Sequence, residues 1–578
     1  MTDGPLIVQS DKTILLEVAH PQADDARHAL ASFADLERAP EHMHSYRITP
    51  LGLWNARAAG HDAEHVVDTL LRFSRYPVPH PLLLDIAETM ARYGRLRLEK
   101  DPTHGLVLRS DDELILEEVA HGKKVAALLG ARVDPLTVVV HGPARGELKA
   151  LLLQAGWPAE DLAGYVDGTA HLIALTDTVL TDTAGAETAL TDTAVADSGD
   201  LTKESTTNTP TPWTLRPYQR QAVENFWAGG SGVVVLPCGA GKTIVGAAAM
   251  AASGTTVLIL VTNTISARQW KAELLKRTTL TEHEIGEYSG ALKELRPVTI
   301  ATYQVLTTRR NGLFTHLDLL NDHDWGLLIY DEVHLLPAPI FRMTADLQAR
   351  RRLGLTATLV REDGREGEVF ALIGPKRYDA PWKDIEAQGH IAPADCVEVR
   401  VDLSRAERLA YATADDGGRY RMCATSPAKS VVAQALVASH PDEQILVIGQ
   451  YLDQLEGLAA ALQAPLITGS TSVKERQRLF DEFRQGRISV LVVSKVANFS
   501  LDLPEASVAI QVSGAFGSRQ EEAQRLGRLM RPKADGRTAR FYTVVARDTV
   551  DADFAAKRQR FLAEQGYAYR IMDAQELD

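Results

Sequence analysis

The sequence has few cysteines and no long hydrophobic run, and both absences narrow what the protein can be. Its 578 residues include three cysteines, none of them in a Cys-x-x-Cys pair. Neither a zinc ribbon nor a four-cysteine iron–sulfur cluster can be built from them alone. No stretch of about 18 uncharged apolar residues occurs, which excludes a membrane span. Residues 1–12 lack the basic start and apolar core of a signal peptide, so we expect a cytoplasmic protein.

An excess of positive charge is also missing. Lys and Arg number 62 against 76 Asp and Glu, which gives a formal net charge of −14. This total counts against a protein that coats nucleic acid with positive charge, although it allows a local basic groove. Part of the acidic excess lies in residues 176–212, where Thr-Asp-Thr recurs and aromatic residues are absent. We predict a disordered acidic linker there.

Two small units precede this linker. In residues 1–110, apolar residues recur at helical spacing over 62–75 and 82–93, so we predict an N-terminal helical domain. Residues 111–175 are predicted to form a small α/β domain, because a valine-rich run is followed by a helical pattern. Neither unit contains a catalytic or metal-binding pattern.

After the linker, apolar strands alternate with helical stretches. Such alternation is typical of parallel sheets whose strands are joined by helices. The strands fall into two sets, which predicts two tandem α/β domains, 213–385 and 386–578. The predicted strands are 233–236, 257–261, 298–301, 327–330 and 352–355 in the first domain, and 445–448, 466–467, 490–493 and 508–512 in the second.

The segment 236–243, Leu-Pro-Cys-Gly-Ala-Gly-Lys-Thr, follows one of these strands and precedes a helical stretch. This is the setting of a phosphate-binding loop, whose glycines let backbone N–H groups wrap phosphates at a helix N-terminus. Lys242 would then reach the β- and γ-phosphates of ATP, and Thr243 would bind Mg²⁺. A glycine turn with a chance Lys-Thr is the alternative. The candidate nucleotide-binding residues are Gly239, Ala240, Gly241, Lys242 and Thr243.

Two acids, Asp331 and Glu332, end the buried strand predicted at 327–330. A carboxylate at a strand end can hold Mg²⁺, so Asp331 is the candidate metal ligand together with Thr243. The neighbouring Glu332 can orient and deprotonate an attacking water molecule. The alternative, two solvated carboxylates after a strand, is disfavoured by the phosphate loop upstream.

An arginine-rich segment, 524–531, lies in the second set of strands. Helical spacing places Gln524, Arg528 and Arg531 on one face. Arginines from a second domain can complete an ATP site between two domains, and an arginine finger raises the rate by on the order of 10³–10⁵. Taken alone, the segment is also compatible with a basic surface helix.

In order and spacing, these segments resemble the motifs of superfamily 2 helicases from residue 213 to about 543. The resemblance implies two tandem RecA-like parallel-sheet domains, preceded by small α+β N-terminal domains, with ATP and Mg²⁺ between the two lobes. Arg216 and Gln219 would read the adenine. Contact with nucleic acid and coupling to movement would fall to Thr262, Thr302, Thr356, Thr358 and Ser494.

The tetrapeptide Asp-Glu-Val-His at 331–334 and the triplet Arg361, Glu362 and Asp363 are similar to motifs of the XPB DNA-repair helicases. This resemblance implies an ATP-driven 3′→5′ DNA helicase or double-strand DNA translocase that acts in DNA repair. It implies single- and double-stranded DNA as partners, and a nuclease or another repair protein as a candidate partner. The triplet would share the coupling role.

The resemblance also implies roles for two further regions. Residues 111–175 occupy the place of a damage-recognition domain, and 402–430 the place of a short thumb insertion. Arginines and tyrosines in the latter suit contact with phosphates and bases, although an ordinary helical hairpin is equally compatible. Two rival functions stay open, an RNA-directed superfamily 2 ATPase and an ATP-switched non-catalytic scaffold. The triplet at 361–363 counts against the first, and the intact phosphate loop and strand-end acids count against the second.

Overall fold

The structure is a computed structural model. It describes residues 4–39, 42–141, 144–163, 167–176, 214–308, 316, 320, 323–335, 349–357, 366–494, 506–514, 538–567 and 569–577. Over this part of the chain the strands form two small sheets before the linker and two seven-stranded sheets after it. We name the corresponding units the N-terminal module (4–92), the second module (95–163), the first lobe (214–379) and the second lobe (394–577).

The N-terminal module combines helices with an antiparallel sheet. Its elements are β1 (Leu6–Val8), β2 (Thr13–Glu17), α1 (Ala23–Leu30), β3 (Ala34–Arg38), β4 (Met43–Ile48), α2 (Pro50–Ala58), α3 (Ala63–Phe73) and α4 (His80–Ala91). The strand order is β1-β2-β4-β3. Asp62 caps α3 by accepting from the N–H of His65 at 2.8 Å. The prediction of a helical domain is therefore wrong, because short strands with alternating buried residues lie between the predicted helices.

The second module is built on a five-stranded sheet that crosses residue 110. Its elements are β5 (Leu96–Asp101), β6 (Gly105–Ser110), α5 (Glu113–Ala120), α6 (Lys123–Ala126), β7 (Leu129–Asp134), β8 (Thr137–Val140), α7 (Arg145–Gln154) and β9 (Ala159–Asp161). The strand order is β7-β8-β6-β5-β9. The predicted boundary at residue 110 is wrong, because β5 and β6 pair with strands that follow it. A hairpin pattern is local and does not show which later strand it joins.

The first lobe is a parallel sheet with the order β12-β13-β11-β14-β15-β10-β16. All five residues of its strand Val257–Val261 are buried, as expected for a sheet covered on both faces. The elements are α8 (Pro217–Gly229), β10 (Gly232–Val235), α9 (Lys242–Ser253), β11 (Val257–Val261), α10 (Thr264–Arg277), β12 (Ile285–Tyr288), β13 (Val298–Thr302), α11 (Tyr303–Thr307), β14 (Trp325–Asp331), β15 (Ala349–Thr356), α12 (Glu366–Leu372) and β16 (Lys376–Asp379).

The second lobe repeats this plan, with the strand order β19-β20-β18-β21-β22-β17-β23 and parallel pairing between neighbours. Helix α13 (Trp382–Ala387) joins the lobes. The elements that follow are β17 (Ala394–Val401), α14 (Arg405–Thr413), α15 (Asp416–Ala424), α16 (Pro427–Ala438), β18 (Ile445–Gly449), α17 (Leu452–Ala461), β19 (Leu466–Ile467), α18 (Val473–Arg484), β20 (Val490–Ser494), β21 (Val508–Gln511), β22 (Ala539–Ala546), α19 (Val550–Glu564) and β23 (Tyr569–Asp573).

The predicted boundary between the lobes, at 385/386, falls inside α13. The backbone N–H of Trp382 donates to the side chain of Gln565 at 3.2 Å, and the hydroxyl of Tyr567 donates to Glu386 at 2.7 Å. The helix therefore packs against the end of the second lobe. The sequence pattern could not show this, because the partners of the helix come from the far end of the chain.

Residues 167–175 were assigned by sequence to the unit before the linker, but they lie against the first lobe. The N–H of Thr256 donates to the carbonyl of Thr169 at 2.8 Å, and the side chain of Ile173 is 2% exposed within the core of that lobe. This segment ties the second module to the first lobe. The predicted linker, 176–212, lies outside the described part of the chain except for Thr176, whose N–H donates to the carbonyl of Arg277 at 3.0 Å.

The N-terminal module contacts both lobes. The N–H of Lys376, on the edge strand of the first lobe, donates to the side chain of Asn55 at 2.9 Å. In the second lobe, Arg560 donates to the carbonyl of Glu37 at 2.9 Å, and Ala563 is buried in the core of the module. Residues of the module therefore lie at the junction of the two lobes.

One arginine carries much of the contact between this module and the first lobe. Arg377 donates to the carbonyls of Ser231 at 2.9 Å and Gly229 at 2.7 Å, which lead into β10, and to that of Ala58 at 2.8 Å. Ala58 is the last residue of α2, where a cation is favoured by the helix dipole. The guanidinium thus links the N-terminal module to the segment that precedes the phosphate loop.

Replacing Arg377 with Ala should release this contact. Hydrogen bonds with a charged donor contribute about 1.5–3 kcal/mol each, so amide exchange in segments 56–60 and 229–232 should speed up by about tenfold or more. Hydrogen exchange measured by mass spectrometry checks this. The matched control is Arg72→Ala, because Arg72 is an exposed arginine of the N-terminal module that covers the ring of Phe73. Equal exchange in the two variants would contradict the assignment.

The predicted fold class is confirmed, since two tandem parallel-sheet lobes follow two small α+β modules. All nine predicted strands after the linker are present, within a few residues of their predicted bounds. Over the described ranges, no helix is both long and apolar enough to cross a bilayer. None of the three cysteines, all of which lie in the described ranges, forms a disulfide bond.

Candidate nucleotide-binding site

The predicted phosphate loop joins β10 to α9 and depends on its glycines. Gly239 and Gly241 have φ angles of +85° and +84°, a conformation that residues with a side chain rarely adopt. A Cβ at Gly241 would also lie 2.5 Å from the amide nitrogen of Gln219. Thr243 lies in the first turn of α9, where free backbone N–H groups favour a phosphate.

The sheet order brings the second predicted motif to this loop. Strand β15 lies between β10, which leads into the loop, and β14, which ends in Asp331. Because all these strands are parallel, their carboxyl ends lie at one edge of the sheet, where α/β folds bind ligands. Thr302 and Thr356 end β13 and β15 at the same edge, and Thr262 directly follows β11.

Lys242 and Glu332 form the central ion pair of the site. The ammonium nitrogen of Lys242 lies 2.7 Å from Oε1 of Glu332, and the side chains are only 12% and 21% exposed. Burial alone would lower the pKa of Lys242, but the carboxylate of Glu332 outweighs it and raises that pKa above its ordinary value. Glu332 has a φ of +49°, a strained conformation that is concentrated at functional sites.

Asp331 is held from two sides by aromatic residues. The indole N–H of Trp270 donates to its carboxylate at 2.9 Å, and the hydroxyl of Tyr303 donates to its backbone carbonyl at 2.8 Å. Burial, followed by the charge of Glu332, raises the pKa of Asp331 to about 6, although Lys242 acts in the opposite direction. The carboxylate is therefore ionised at neutral pH and close to its protonation range.

Binding of Mg²⁺–ATP should weaken as the pH falls through about 6. A proton on Asp331 competes with the metal, so the apparent affinity should drop by up to about tenfold per pH unit below that value. Isothermal titration calorimetry between pH 5 and 8 measures this dependence. Asp331→Asn is the control, because an amide does not titrate and the variant should lose the pH dependence. A dependence that persists in the variant would assign the titration to another group.

The residues predicted to read adenine are bound to the phosphate loop. The side-chain oxygen of Gln219 accepts from the N–H of Arg216 at 3.0 Å, and its amide nitrogen donates to the carbonyl of Ala240 at 2.9 Å. The hydroxyl of Tyr218 donates to the same carbonyl at 2.8 Å. These bonds place Arg216 and Gln219 beside the loop, and the reading of adenine stays a prediction.

The residues predicted for coupling are only partly described. Thr356 is fully buried, and its hydroxyl lies 2.5 Å from Nδ1 of His334. Thr302 and Ser494 are buried at the ends of their strands, and Thr262 is partly buried. Their contact with nucleic acid stays a prediction. The predicted site residues that lie outside the described part of the chain are Thr358, Arg361, Glu362, Asp363, Gln524, Arg528 and Arg531.

Sequence analysis missed three residues of the site, Trp270, Tyr303 and His334. A tryptophan in the middle of α10 indicates a buried indole whose N–H needs an acceptor. The sequence does not show which residue provides that acceptor. Tyr303 and His334 lie next to residues that the motifs had identified, and their side chains turn toward Asp331 and Thr356. Only the packing of α10 and α11 on the sheet identifies these contacts.

The thumb-like segment 402–430 forms a helical hairpin, α14 and α15. Tyr420, one of its aromatic residues, is 1% exposed, and its hydroxyl donates to the carbonyl of Gly514. The hydroxyl of Tyr411 accepts from the N–H of Val550 at 2.9 Å. Tyr420 is therefore packed against the second lobe and is not available to stack on bases.

The donor set fits ATP with Mg²⁺. A glycine-dependent loop at a helix N-terminus suits phosphates, and a hydroxyl with one carboxylate suits Mg²⁺, which keeps several water ligands and binds substrate phosphates. The described residues contain no cluster of three or more His, Cys, Asp or Glu that could hold a metal ion by themselves.

Three protein-family profiles match the chain. Residues 385–577 match "ERCC3/RAD25/XPB C-terminal helicase", residues 213–361 match "Type III restriction enzyme, res subunit", and residues 6–134 match "Helicase conserved C-terminal domain". The first two matches correspond to the two lobes. The third covers the N-terminal module and most of the second module.

Similar proteins align over the whole chain. The "DNA 3'-5' helicase XPB" of Kineococcus radiotolerans is 70% identical over 578 residues, which cover 100% of this chain and 98% of that protein. The protein of the same name from Mycobacterium tuberculosis is 65% identical, with 100% and 99% coverage. The "General transcription and DNA repair factor IIH helicase/translocase subunit XPB" of Antonospora locustae is 33% identical, with 100% and 82% coverage.

Proposed function

Because the chain belongs to the XPB family of superfamily 2 DNA helicases, we propose that its first lobe binds ATP with Mg²⁺ and that the two lobes use its hydrolysis to move on DNA. The protein is an ATP-dependent DNA helicase. The observation that carries the site assignment is the ion pair between Lys242 of the phosphate loop and Glu332 at the end of β14. It joins the phosphate-binding and water-activating groups in one buried contact.

The ion pair suggests how the site changes when nucleotide binds. When bound, ATP with Mg²⁺ would supply the phosphoryl group. Lys242 would exchange the carboxylate of Glu332 for the phosphates, and that carboxylate would then be able to orient and deprotonate water. Asp331 and Thr243 would hold the metal, and Trp270 keeps the carboxylate of Asp331 in one orientation. Arg528 and Arg531 would approach from the second lobe.

A chain of contacts supports the proposed coupling role of Thr356. Its carbonyl accepts from the N–H of Leu236 at 3.0 Å, at the start of the phosphate loop. Its hydroxyl lies beside His334, whose Nδ1 is also 3.5 Å from a carboxylate oxygen of Glu332. A shift of Glu332 on nucleotide binding would therefore move His334 and, through it, Thr356 at the end of β15. This strand leads to Thr358 and to the triplet 361–363.

The proposed substrate is DNA, with the 3′→5′ polarity that the names of the bacterial relatives give. The proposed role in repair is suggested by the name of the Antonospora locustae protein. We also propose double-strand translocation as an activity and a nuclease or another repair protein as a partner. The second module, with its corrected bounds 95–163, keeps damage recognition as its proposed role. These proposals follow from the family and from the contact of this module with the first lobe through residues 167–176.

ATPase assays with single-stranded DNA, duplex DNA and RNA test the proposal, combined with strand displacement on 3′- and 5′-tailed duplexes. We expect stimulation by DNA and displacement of the 3′-tailed duplex. Stimulation by RNA alone would favour an RNA-directed ATPase. Nucleotide binding without turnover on any nucleic acid would favour an ATP-switched scaffold.

A further inference from the structure

The N-terminal module is attached to the two lobes through different elements. Its helix α2 faces the first lobe, where the side chain of Asn55 accepts from the backbone N–H of Lys376 at 2.9 Å. Its strand β3 faces the second lobe, where the guanidinium of Arg560, on α19, donates to the carbonyl of Glu37 at 2.9 Å. Ala563, one turn further along α19, is buried in the core of the module. These contacts join one lobe to the other through the module, and we name them the interlobe bridge.

Electrostatic attraction also acts among all three units. Lys376, on the edge strand of the first lobe, lies 2.8 Å from Asp379 of the same lobe. Burial alone would lower the pKa of Lys376, but the carboxylates of Asp379, Asp35 and Glu564 outweigh it and raise that pKa above its ordinary value. Asp35 belongs to the module and Glu564 to the second lobe. Each unit therefore supplies a carboxylate that attracts the same ammonium group.

The surfaces that meet at the interlobe bridge are not closely packed. A cavity of about 290 Å³ lies between the three units, and its lining includes Tyr46 of the module, Lys376 of the first lobe and Arg560 of the second lobe. Most protein interiors contain few voids larger than a water molecule, and a polar cavity of this size has room for water. Water can replace hydrogen bonds that open beside it. The bridge can therefore open without leaving its polar groups unpaired.

We propose that the interlobe bridge is autoinhibitory, because it holds the two lobes in one relative orientation and must open at one of its ends when ATP turnover changes that orientation. The inference rests on the proposed function, since it takes the lobes to move during turnover. The module has its own core, so it cannot stretch between lobes that move apart. Contacts that favour one orientation add to the barrier for leaving it, and such movements limit turnover in many enzymes.

One variant at each end tests the interlobe bridge. Arg560→Ala removes the donor at the end on the second lobe, and Asn55→Ala removes the acceptor at the end on the first lobe. The matched controls are Lys557→Ala and Arg57→Ala, which replace exposed cations of the same two helices, α19 and α2. The ammonium of Lys557 lies over the ring of Phe554, on its own helix.

Steady-state ATPase of the full-length protein without DNA should show the release. We expect kcat to rise about threefold to tenfold in Arg560→Ala and in Asn55→Ala, as the loss of one hydrogen bond allows. The controls should match the wild type. The double variant should stay within about twofold of the faster single variant, because two contacts in series are not additive. A kcat that equals or falls below that of the controls, or two effects that multiply, would overturn the inference.

The orientation of the lobes can be measured without hydrolysis. Single-molecule fluorescence energy transfer reports the distance between dyes attached through unnatural amino acids at Glu282 and Glu456, which are exposed residues of the first and second lobes. We expect one narrow distribution in the wild type and the controls. Arg560→Ala and Asn55→Ala should broaden it or add a second population. Distributions that do not differ from the controls would refute the bridge.

The two measurements separate this inference from the proposed function. A wild-type protein that hydrolyses no ATP would refute the proposed function, and the autoinhibitory role would fail with it even if the distances respond. If DNA stimulates the wild type while Arg560→Ala and Asn55→Ala turn over ATP like their controls, the proposed function stands and only this inference is refuted. Circular dichroism spectra that match the wild type would show that the variants are folded.

Discussion

Replacing Glu332 with Gln should lower ATP turnover by about 10²–10⁴-fold, the contribution of a general base, while nucleotide binding persists. In the structure Glu332 is ion-paired with Lys242 at 2.7 Å. Glutamine keeps the shape of the side chain but removes the charge that holds Lys242, so ATP should bind at least as tightly as in the wild type. Stopped-flow binding of a fluorescent ATP analogue and single-turnover hydrolysis measure the two effects separately.

The same variant should change the titration of its neighbour. The charge of Glu332 is one cause of the raised pKa of Asp331, so its loss should move the pH midpoint of Mg²⁺–ATP binding below about 6. Asp331→Asn should behave differently, because it removes a metal ligand and weakens binding itself. The matched control is Glu287→Gln, a buried glutamate of the same lobe that accepts from Ser289 at 3.0 Å. A Glu332→Gln protein that hydrolyses ATP near the wild-type rate would refute the general-base assignment.

Replacing Lys242 with Ala should reduce turnover by about 10²–10³-fold, the usual loss when one preorganised charge donor is removed from a developing anion. Here the loss has a second cause. Without Lys242, the adjacent carboxylates of Asp331 and Glu332 lose their nearest cation, so the pKa of Asp331 should rise further. ATP affinity should therefore weaken at neutral pH as well, in contrast to Glu332→Gln.

Equilibrium binding of Mg²⁺–ATP at pH 7 and pH 8.5 checks this second effect. Part of the lost affinity should return at the higher pH, because the carboxylate of Asp331 ionises again. Lys271→Ala is the control, since Lys271 forms an exposed ion pair with Glu282 at 2.8 Å in the same lobe, and such pairs contribute little. Nucleotide affinity that is unchanged in Lys242→Ala would contradict the placement of the phosphates at the loop.

The fold class, the strands of the two lobes and the candidate phosphate loop with its strand-end acids could all be predicted from the amino-acid sequence. These features are local. A phosphate loop needs glycines, a lysine and a hydroxyl within a few consecutive residues, and a buried parallel strand is a short apolar run. The conformations of Gly239 and Gly241 show why the pattern was informative, because their backbone could not be formed by other residues without strain.

Domain limits were less well determined by the sequence. The alternating pattern of residues 96–110 is local, and nothing in it shows that these residues pair with strands after residue 136. Residues 167–176 carry no signal for the first lobe, although their backbone bonds to it. In both cases the deciding hydrogen bonds join segments that are distant in sequence, and backbone bonds of this kind carry little side-chain information.

Only the tertiary structure decided which charged and polar groups meet. The motifs named Lys242 and Glu332 separately, but their ion pair depends on the order β14-β15-β10 within the sheet. The contact of Trp270 with Asp331 and that of Lys429 with Asp551 likewise depend on how helices pack against distant strands. The physical reason is that a buried charge must find a partner in space, and the position of that partner is set by the packing of the whole lobe.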